Sequence, residues 1–338
     1  MRLCRRGMTV PARLGNLLND FAASRHRRLR LMESLSREVT LQSLMGLQSQ
    51  FLRNAEWAAR LRGISLDRQG NSCFRAWTLR GTMHVHDVAD YALYLHEGNR
   101  SLYLRDYWDD TAAMSMARKE RAADKMLSLL AEGVTARREV IERFRADGAS
   151  QTELDYLFNP WGGLPRVLME QRQIVQTVSE ELRYRLAPQA APIPAEQAMW
   201  EQMRRYLMGY APCSVEDAAY FFRYGKRVCK ALMDSCAAAS AGLLVWRDGL
   251  VYRTDREPAG GEDVYVLSGF DPLLVGYEKK ENPMVPPAAL RAIYTLQGII
   301  KPVVVAEGRC IATWGVRMGR VWLCPFGTDS AAALDRAE

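Results

Sequence analysis

The sequence predicts an α+β fold, predominantly helical, built from three tandem winged-helix modules. Three times along the 338 residues, apolar positions at helical spacing are followed by a segment with strand propensity. Three such rounds that lack a tight sequence period suggest tandem winged-helix domains. A hydrophobic content of 48% is sufficient for real cores.

The first predicted module, residues 1–110, begins with a basic helix. Helical spacing of apolar residues predicts helices over residues 14–21, 41–45 and 55–61. A strand-like segment follows from Phe74 to Val85, and Gly81 within it permits a corner with positive φ. We therefore expect a β-hairpin there, as in a wing.

The second predicted module covers residues 111–190. Its expected helices are residues 117–132 and 137–146, with Thr135 as the N-cap of the latter. The wing is expected after Gly162 and Gly163. The predicted arms are residues 166–169 and 182–185, although the residues between them are also compatible with helix.

A proline-rich linker, residues 188–194, precedes the third predicted module, residues 191–338. Its expected helices are residues 200–208, 214–224 with Ser214 as the cap, and 228–236. Residues 243–246 and 251–254 flank Arg-Asp-Gly-Leu, which predicts a hairpin turn.

The net charge of +7 is concentrated at one end of the chain. Residues 1–30 hold eight arginines and one acid, Asp20, and the rest of the sequence is balanced. This basic segment, which includes Arg27 and Arg28, is either a basic arm that contacts DNA phosphates or simply a solvated helix face. A transit peptide is the less favoured alternative, because no cleavable apolar core follows. The seven cysteines form no Cys-x-x-Cys pair, which favours a reducing cytoplasm and argues against zinc.

Four ordered motifs resemble those of the AlkZ-type winged-helix DNA glycosylases. They are Gly-Leu-Gln-Ser-Gln at residues 46–50, Arg-x-Trp-x-x-Arg-Gly-Thr-Met-His at 75–84, Phe-Asp-Pro-Leu-Leu-Val-Gly at 270–276 and the segment from Lys301 to Trp314. Three positions depart from the family pattern: Ser49 is usually apolar, Met83 is usually Leu, and Phe51 stands where many relatives continue toward proline. None of these departures removes a reactive group.

The resemblance implies three winged-helix modules in a curved, C-shaped monomer around duplex DNA. It also implies that Gln48 and Gln50 are the catalytic residues. Glutamine is a poor general base, so a glutamine pair suits a reaction that needs a water placed and a cation stabilised. Residues i and i+2 share a face only in extended backbone, so both side chains reach one nucleotide only if the chain leaves the helix near Gly46. Gln-x-Gln alone is weak evidence, because it recurs at residues 171–173.

Other side chains of the motifs have two interpretations each. Arg75 and Arg80 are expected to contact phosphates. His84 and His86 share a strand face, but no third metal ligand is evident, which argues against a metal site. The resemblance places His84 at the family's histidine, so we expect it near the DNA backbone or the wall of the site, and we expect His86 to contact DNA as well. Trp77 is expected in the core. Asp271 can be interpreted as a general base, but an Asp-Pro turn cap is the more ordinary interpretation.

The resemblance implies a monofunctional DNA glycosylase of base excision repair that hydrolyses the N-glycosidic bond of bulky N-alkylated purines. Whether the substrates include interstrand crosslinks, which the enzyme would unhook, is left open by the sequence. The alternative is a winged-helix DNA-binding regulator without catalysis. The expected partner is double-stranded DNA, with no cofactor, no metal, no membrane and no obligatory protein partner, and the expected location is the cytoplasm. No lysine lies in the motifs, so no Schiff-base step is expected.

Overall fold

The computed structural model describes residues 39–67, 72–96, 106–255 and 264–327. The chain divides into two compact units: one runs to Ser65 and resumes at Gln202, and the other comprises residues 66–201. The predicted basic opening, with Arg27 and Arg28, lies outside the described residues. The division into three modules stays a prediction.

The unit of residues 66–201 combines helices with an antiparallel sheet. Its elements are β2 (Cys73–Trp77), β3 (Met83–Asp87), α2 (Tyr91–Tyr94), α3 (Met116–Ala131), α4 (Arg137–Ala146), α5 (Gln151–Leu157), α6 (Gly163–Glu170), β4 (Ile174–Gln176), β5 (Tyr184–Leu186) and the start of α7 (Ala195–Tyr210). Within this unit the strands are ordered β3-β2-β4-β5. Apolar residues from these strands and from α3 to α6 form one core.

The hairpin predicted from residue 74 to residue 85 is confirmed. Strands β2 and β3 pair in antiparallel fashion, with Ala76 opposite His84. The corner between them is a 3₁₀ turn, Leu79–Gly81, in which Arg80 has φ 59° and Gly81 has φ 64°. Gly81 supplies the positive φ that the sequence predicted.

The first of the two strands predicted for the second wing was wrong. Residues 166–169 lie in helix α6, and the strands that form a hairpin are β4 and β5, so only the second arm is close to its expected place. Helix α6 begins at Gly163, whose φ is +70° and where a Cβ would lie 2.3 Å from the carbonyl oxygen of Leu157. The helix ends at Glu170, two residues before Arg172, where φ is 66°.

Thr135 was also wrong as a cap, since Ala136 occupies the N-cap position of α4. Thr135 instead contacts the second wing strand. Its carbonyl accepts from the Tyr184 backbone N–H at 2.8 Å, and its hydroxyl accepts from Arg183 at 3.2 Å. These bonds to the neighbouring strand segment take the place of a capping bond.

The other unit contains the Gln-x-Gln segment and the C-terminal half of the chain. Its elements are β1 (Leu47–Gln48), α1 (Leu52–Leu61), the remainder of α7, α8 (Val215–Phe222), α9 (Lys226–Ala239), β6 (Leu244–Arg247), β7 (Leu250–Arg253), β8 (Val264–Leu267), α10 (Pro272–Val275), α11 (Leu290–Ile293), β9 (Val303–Ala306), β10 (Arg309–Arg317) and β11 (Arg320–Pro325). Strands β8 to β11 form an antiparallel sheet of order β11-β10-β9-β8.

Two local expectations for the C-terminal half, the Ser214 cap and a hairpin within residues 243–254, are confirmed. Ser214 caps α8 through a capping box with Asp217. Strands β6 and β7 form the predicted hairpin, with Arg247 opposite Leu250. Overall the described residues form a mixed α/β fold with more helix than strand. Among them, no helix is both long enough and apolar enough to cross a membrane.

Helix α7 holds the chain in place just before the Gln-x-Gln segment. The Tyr210 hydroxyl donates to the Leu44 carbonyl at 2.7 Å. Gly209, one residue earlier on α7, lies so close that a Cβ would be 2.1 Å from the Ser43 carbonyl oxygen. The backbone of residues 43 and 44 is therefore held directly against α7.

Candidate functional site

The chain changes from a helical turn to extended backbone immediately before the glutamine pair. Met45 and Gly46 have φ of 61° and 81°. The Gly46 N–H donates to the Leu41 carbonyl and the Met45 N–H donates to the Gln42 carbonyl, the pattern that ends many helices. Gly46 thus lies at the break that the sequence required. Residues 47 and 48 are extended, and helix α1 begins only at Leu52.

The two glutamine side chains lie on the same side of this extended segment. The Gln48 amide nitrogen donates to Gln50 Oε1 at 2.8 Å. Ser49 between them is fully buried, whereas Gln48 is 9% exposed and Gln50 is partly exposed, as expected for alternating side chains. An amide oxygen has two lone pairs, so Gln50 Oε1 can accept from a water while it accepts from Gln48.

A buried ion pair connects the helix after the glutamines to the Phe-Asp-Pro motif. Arg62, at the C-terminal end of α1, forms two bonds to Asp271, Nη1 to Oδ2 at 2.9 Å and Nη2 to Oδ1 at 2.8 Å. Both side chains are fully buried. Asp271 also accepts from the Leu273 N–H at the start of α10. Asp271 is therefore a helix cap, as its structural interpretation predicted, and also an ion-pair partner, which the sequence did not predict.

Further contacts hold this motif, and the residues just before it, against helix α1. The ring of Phe51 stacks on the ring of Phe270, with centroids 5.8 Å apart and an interplanar angle of 23°. The Ser268 hydroxyl donates to the Asn54 carbonyl at 2.9 Å. The Trp57 indole N–H donates to the Val266 carbonyl at 2.7 Å. Helix α1 and the glutamine segment before it are thus fixed by residues more than 200 positions away.

In the other unit, the corner of the first hairpin forms a small hydrogen-bonded network. Arg80 Nη2 lies 3.1 Å from His84 Nε2, and His84 Nδ1 lies 3.0 Å from the Thr82 carbonyl oxygen. A guanidinium can only donate, so His84 accepts at Nε2 and donates from Nδ1, which is the neutral form. Burial and the nearby charge of Arg80 lower the pKa of His84 well below its usual value, in agreement with that tautomer.

His86 occupies the core of the same hairpin. Its ring stacks on Tyr94 at 3.8 Å, and Nε2 lies 2.9 Å from the Thr78 hydroxyl. Burial lowers its pKa to about 3. His84 and His86 do share a strand face, with ring centroids 5.6 Å apart. Within the described part of the chain, no group of three or more His, Cys, Asp or Glu side chains is placed to hold a metal.

Of the four predicted DNA contacts in this segment, Arg80 is the one that is partly exposed. Arg75, His84 and His86 are 5%, 2% and 1% exposed, which favours a role inside the hairpin. Trp77 packs against the core as predicted, and the guanidinium of Arg166 lies 4.3 Å above its ring. Arg166 also bonds Glu170 at 2.9 Å.

The second Gln-x-Gln copy has a different geometry. Gln171 is the C-cap residue of α6, Arg172 follows with positive φ, and Gln173 precedes β4. Both glutamines are exposed. Their amides form no hydrogen bond with each other in the structure, unlike those of Gln48 and Gln50. The identical spacing therefore builds a paired amide site only where the backbone is extended.

Sequence reasoning missed Arg62 and the contact made by Phe51. A signal for Arg62 was present, because Ala55, Ala58 and Ala59 mark the buried face of α1 and Arg62 continues that face. A cation on a buried face requires an acid as its partner. The stack of Phe51 on Phe270 had no comparable signal, since the two residues are far apart in the sequence.

Comparisons with known proteins agree with this architecture. The family described as DNA glycosylase AlkZ-like matches residues 41–337. A Streptomyces sahachiroi protein named interstrand DNA cross-link repair glycosylase is 22% identical over 314 residues, covering 84% of this chain and 83% of that protein. The solved structure of Streptomyces sahachiroi DNA glycosylase AlkZ matches with a TM-score of 0.69 and 21% identity, over 93% of this chain and 96% of that one. At this identity the structural match shows a shared fold.

Proposed function

Because the chain belongs to the AlkZ-like DNA glycosylase family, we propose that it is a monofunctional enzyme that removes bulky N-alkylated purines from double-stranded DNA. Gln48 and Gln50 are the proposed catalytic residues. The observation that carries this assignment is the 2.8 Å bond between the two amides on one side of an extended segment. That geometry is the condition that a cooperating pair has to meet.

The proposed chemistry needs no strong acid or base. Alkylation at N7 or N3 makes the purine cationic, so its bond to C1′ weakens without protonation. As the C1′–N9 bond breaks, its electron pair neutralises the base, and the sugar carries oxocarbenium-like charge. A water held by an amide oxygen attacks C1′ and releases a proton to solvent. The amide dipoles stabilise the positive sugar because they are already oriented.

The acid in the Phe-Asp-Pro motif is not available as a general base in this scheme. The charge of Asp271 is matched by the two bonds from Arg62, and both side chains are buried. The motifs contain no lysine, so the scheme ends at an abasic site without strand cleavage.

Recognition of DNA is proposed for Arg80 in the first hairpin and for Arg27 and Arg28 in the basic N-terminal segment. Arg75, His84 and His86 are proposed to act through the hairpin they stabilise, since they are buried. We also propose a monomer of three tandem winged helices curved around DNA, located in the cytoplasm and, in a bacterial cell, associated with the nucleoid. The α3 to α6 helices followed by the β4/β5 hairpin, and α7 to α9 followed by β6/β7, support such modules. The relative's named substrate makes crosslink unhooking a natural extension.

The test is abasic-site formation on a duplex that carries one N7-alkylguanine. Gln48→Ala and Gln50→Ala should each lower the single-turnover rate on the order of a hundredfold, the size expected when one electrostatic contact to the transition state is lost. Affinity for DNA should be unchanged. The matched control is Gln171→Ala, which alters the exposed copy of the same motif and should retain the wild-type rate.

If all three variants retain the wild-type single-turnover rate, the catalytic assignment of Gln48 and Gln50 is contradicted. If the wild-type protein releases no alkylated purine but binds duplex DNA, the non-catalytic regulator becomes the better description.

A further inference from the structure

Phe51 presents a large apolar ring to solvent directly after the glutamine pair. Its side chain is 47% exposed, and it occupies the N-cap position of α1 without any side-chain capping bond. Serine, threonine, aspartate or asparagine would stabilise a helix start better. The helix itself therefore does not explain an aromatic residue here.

Phe270, the ring on which Phe51 stacks, is buried and belongs to a segment with several fixed contacts. Phe270 is buried and has φ 59°, an uncommon backbone conformation for a residue with a side chain. The next residue, Asp271, is fixed by the Arg62 ion pair and by the Leu273 N–H. Phe270 thus supports one side of Phe51, at 5.8 Å between centroids, and the exposed part of Phe51 remains for another partner.

We propose that the exposed face of Phe51 is a stacking subsite for the damaged nucleobase and that it selects cationic purines. This inference rests on the proposed function of the adjacent glutamine pair. An aromatic face attracts a cation through its quadrupole, in addition to ordinary stacking. An N-alkylated purine carries that charge delocalised over a flat ring, so it gains both interactions, whereas an undamaged purine gains stacking alone.

The subsite also favours release of the product. Hydrolysis neutralises the purine, so the cation–π attraction disappears when the glycosidic bond breaks. Phe51 therefore binds the cationic base before the bond breaks more strongly than it binds the neutral base afterwards. The expected preference is about three- to thirtyfold in affinity, from the usual strength of cation–π contacts.

The experiment compares two duplexes that differ only in charge. One carries 7-methylguanine and the other its uncharged isostere 7-methyl-7-deazaguanine, both on a 2′-fluoroarabinose that blocks hydrolysis. Dissociation constants are measured by fluorescence anisotropy near pH 6. Wild type should prefer the cationic duplex by about three- to thirtyfold, Phe51→Leu should reduce the ratio to about one, and Phe51→Tyr should restore it.

The matched control is Trp161→Leu, because Trp161 is also an exposed aromatic residue, at 69%, but belongs to the other unit. It should retain the wild-type ratio. Thermal unfolding of Phe51→Leu should stay close to that of wild type, since the ring is half exposed. A wild-type ratio near one, or an unchanged ratio in Phe51→Leu, would overturn the proposal.

Excision of 7-methylguanine from an unmodified sugar is measured in parallel. Excision by wild type with no effect of Phe51 on the charge preference refutes the subsite and leaves the proposed function intact. Absence of excision refutes the proposed function, and the affinity ratios still decide the subsite.

Discussion

Burial of His86 converts an ordinarily titrating side chain into a neutral core group. Its ring is 1% exposed, stacks on Tyr94 and has a pKa lowered to about 3 by burial. In the unfolded chain the same imidazole takes up a proton near pH 6.5. Between these two pH values the unfolded state binds more protons, so the free energy of unfolding decreases as the pH is lowered.

This linkage can be measured with His86→Gln, which keeps an amide group for Thr78 but does not titrate. Between pH 7 and pH 5 the free energy of unfolding of wild type should fall more steeply than that of the variant, by about 1 kcal/mol per pH unit. Urea denaturation at several pH values gives both slopes. Parallel slopes would show that His86 does not remain neutral in the folded protein.

At the scale of elements, the Arg62–Asp271 pair connects helix α1 to helix α10. Buried ion pairs contribute little net stability over apolar substitutes, but the loss of one partner leaves an uncompensated buried charge. Arg62 donates one further bond, to the Ala58 carbonyl at 3.1 Å, which does not neutralise its charge.

Asp271→Asn should therefore lower the free energy of unfolding by about 3 kcal/mol or more. The double variant Arg62→Met, Asp271→Asn should be more stable than Asp271→Asn alone, because it removes the unpaired cation. Chemical denaturation of both variants and of Arg62→Met completes the double-mutant cycle. Strictly additive effects would contradict an energetic coupling between the two side chains.

The elements also show what the sequence can and cannot predict. The first hairpin, the Ser214 cap and the β6/β7 hairpin follow from local signals: a glycine corner, a capping residue and a two-residue turn. The strand expected at residues 166–169 is a helix, because these apolar residues also have helical propensity. A short apolar run is compatible with either a buried strand or a buried helix.

At the candidate site, the backbone of the glutamine pair could be predicted from the sequence, but the burial of the hairpin side chains could not. The need for extended backbone at the glutamines, with a break near Gly46, followed from i and i+2 spacing and is observed. The exposure of the arginines and histidines in the hairpin was not predictable, because burial depends on packing between distant segments. His84 and His86 look like surface cations in the sequence but are buried and neutral.

At the scale of the whole molecule, the family match spans residues 41–337 and so includes both compact units. The proposed chemistry is nevertheless confined to one short segment of one unit. Its central claim is that two neutral amides suffice when the leaving base already carries a positive charge. No group in that scheme changes its protonation state near neutral pH.

The most direct test is the pH dependence of the single-turnover rate on duplex DNA with an N3-alkyladenine, whose ring has no acidic N–H. Uncatalysed loss of the base is subtracted at each pH. The log of the rate constant should be flat from about pH 6 to about pH 8.5, because glutamine does not titrate. A limb with a slope near one, or a bell-shaped profile, would reveal an essential general acid or base and contradict the glutamine-pair account.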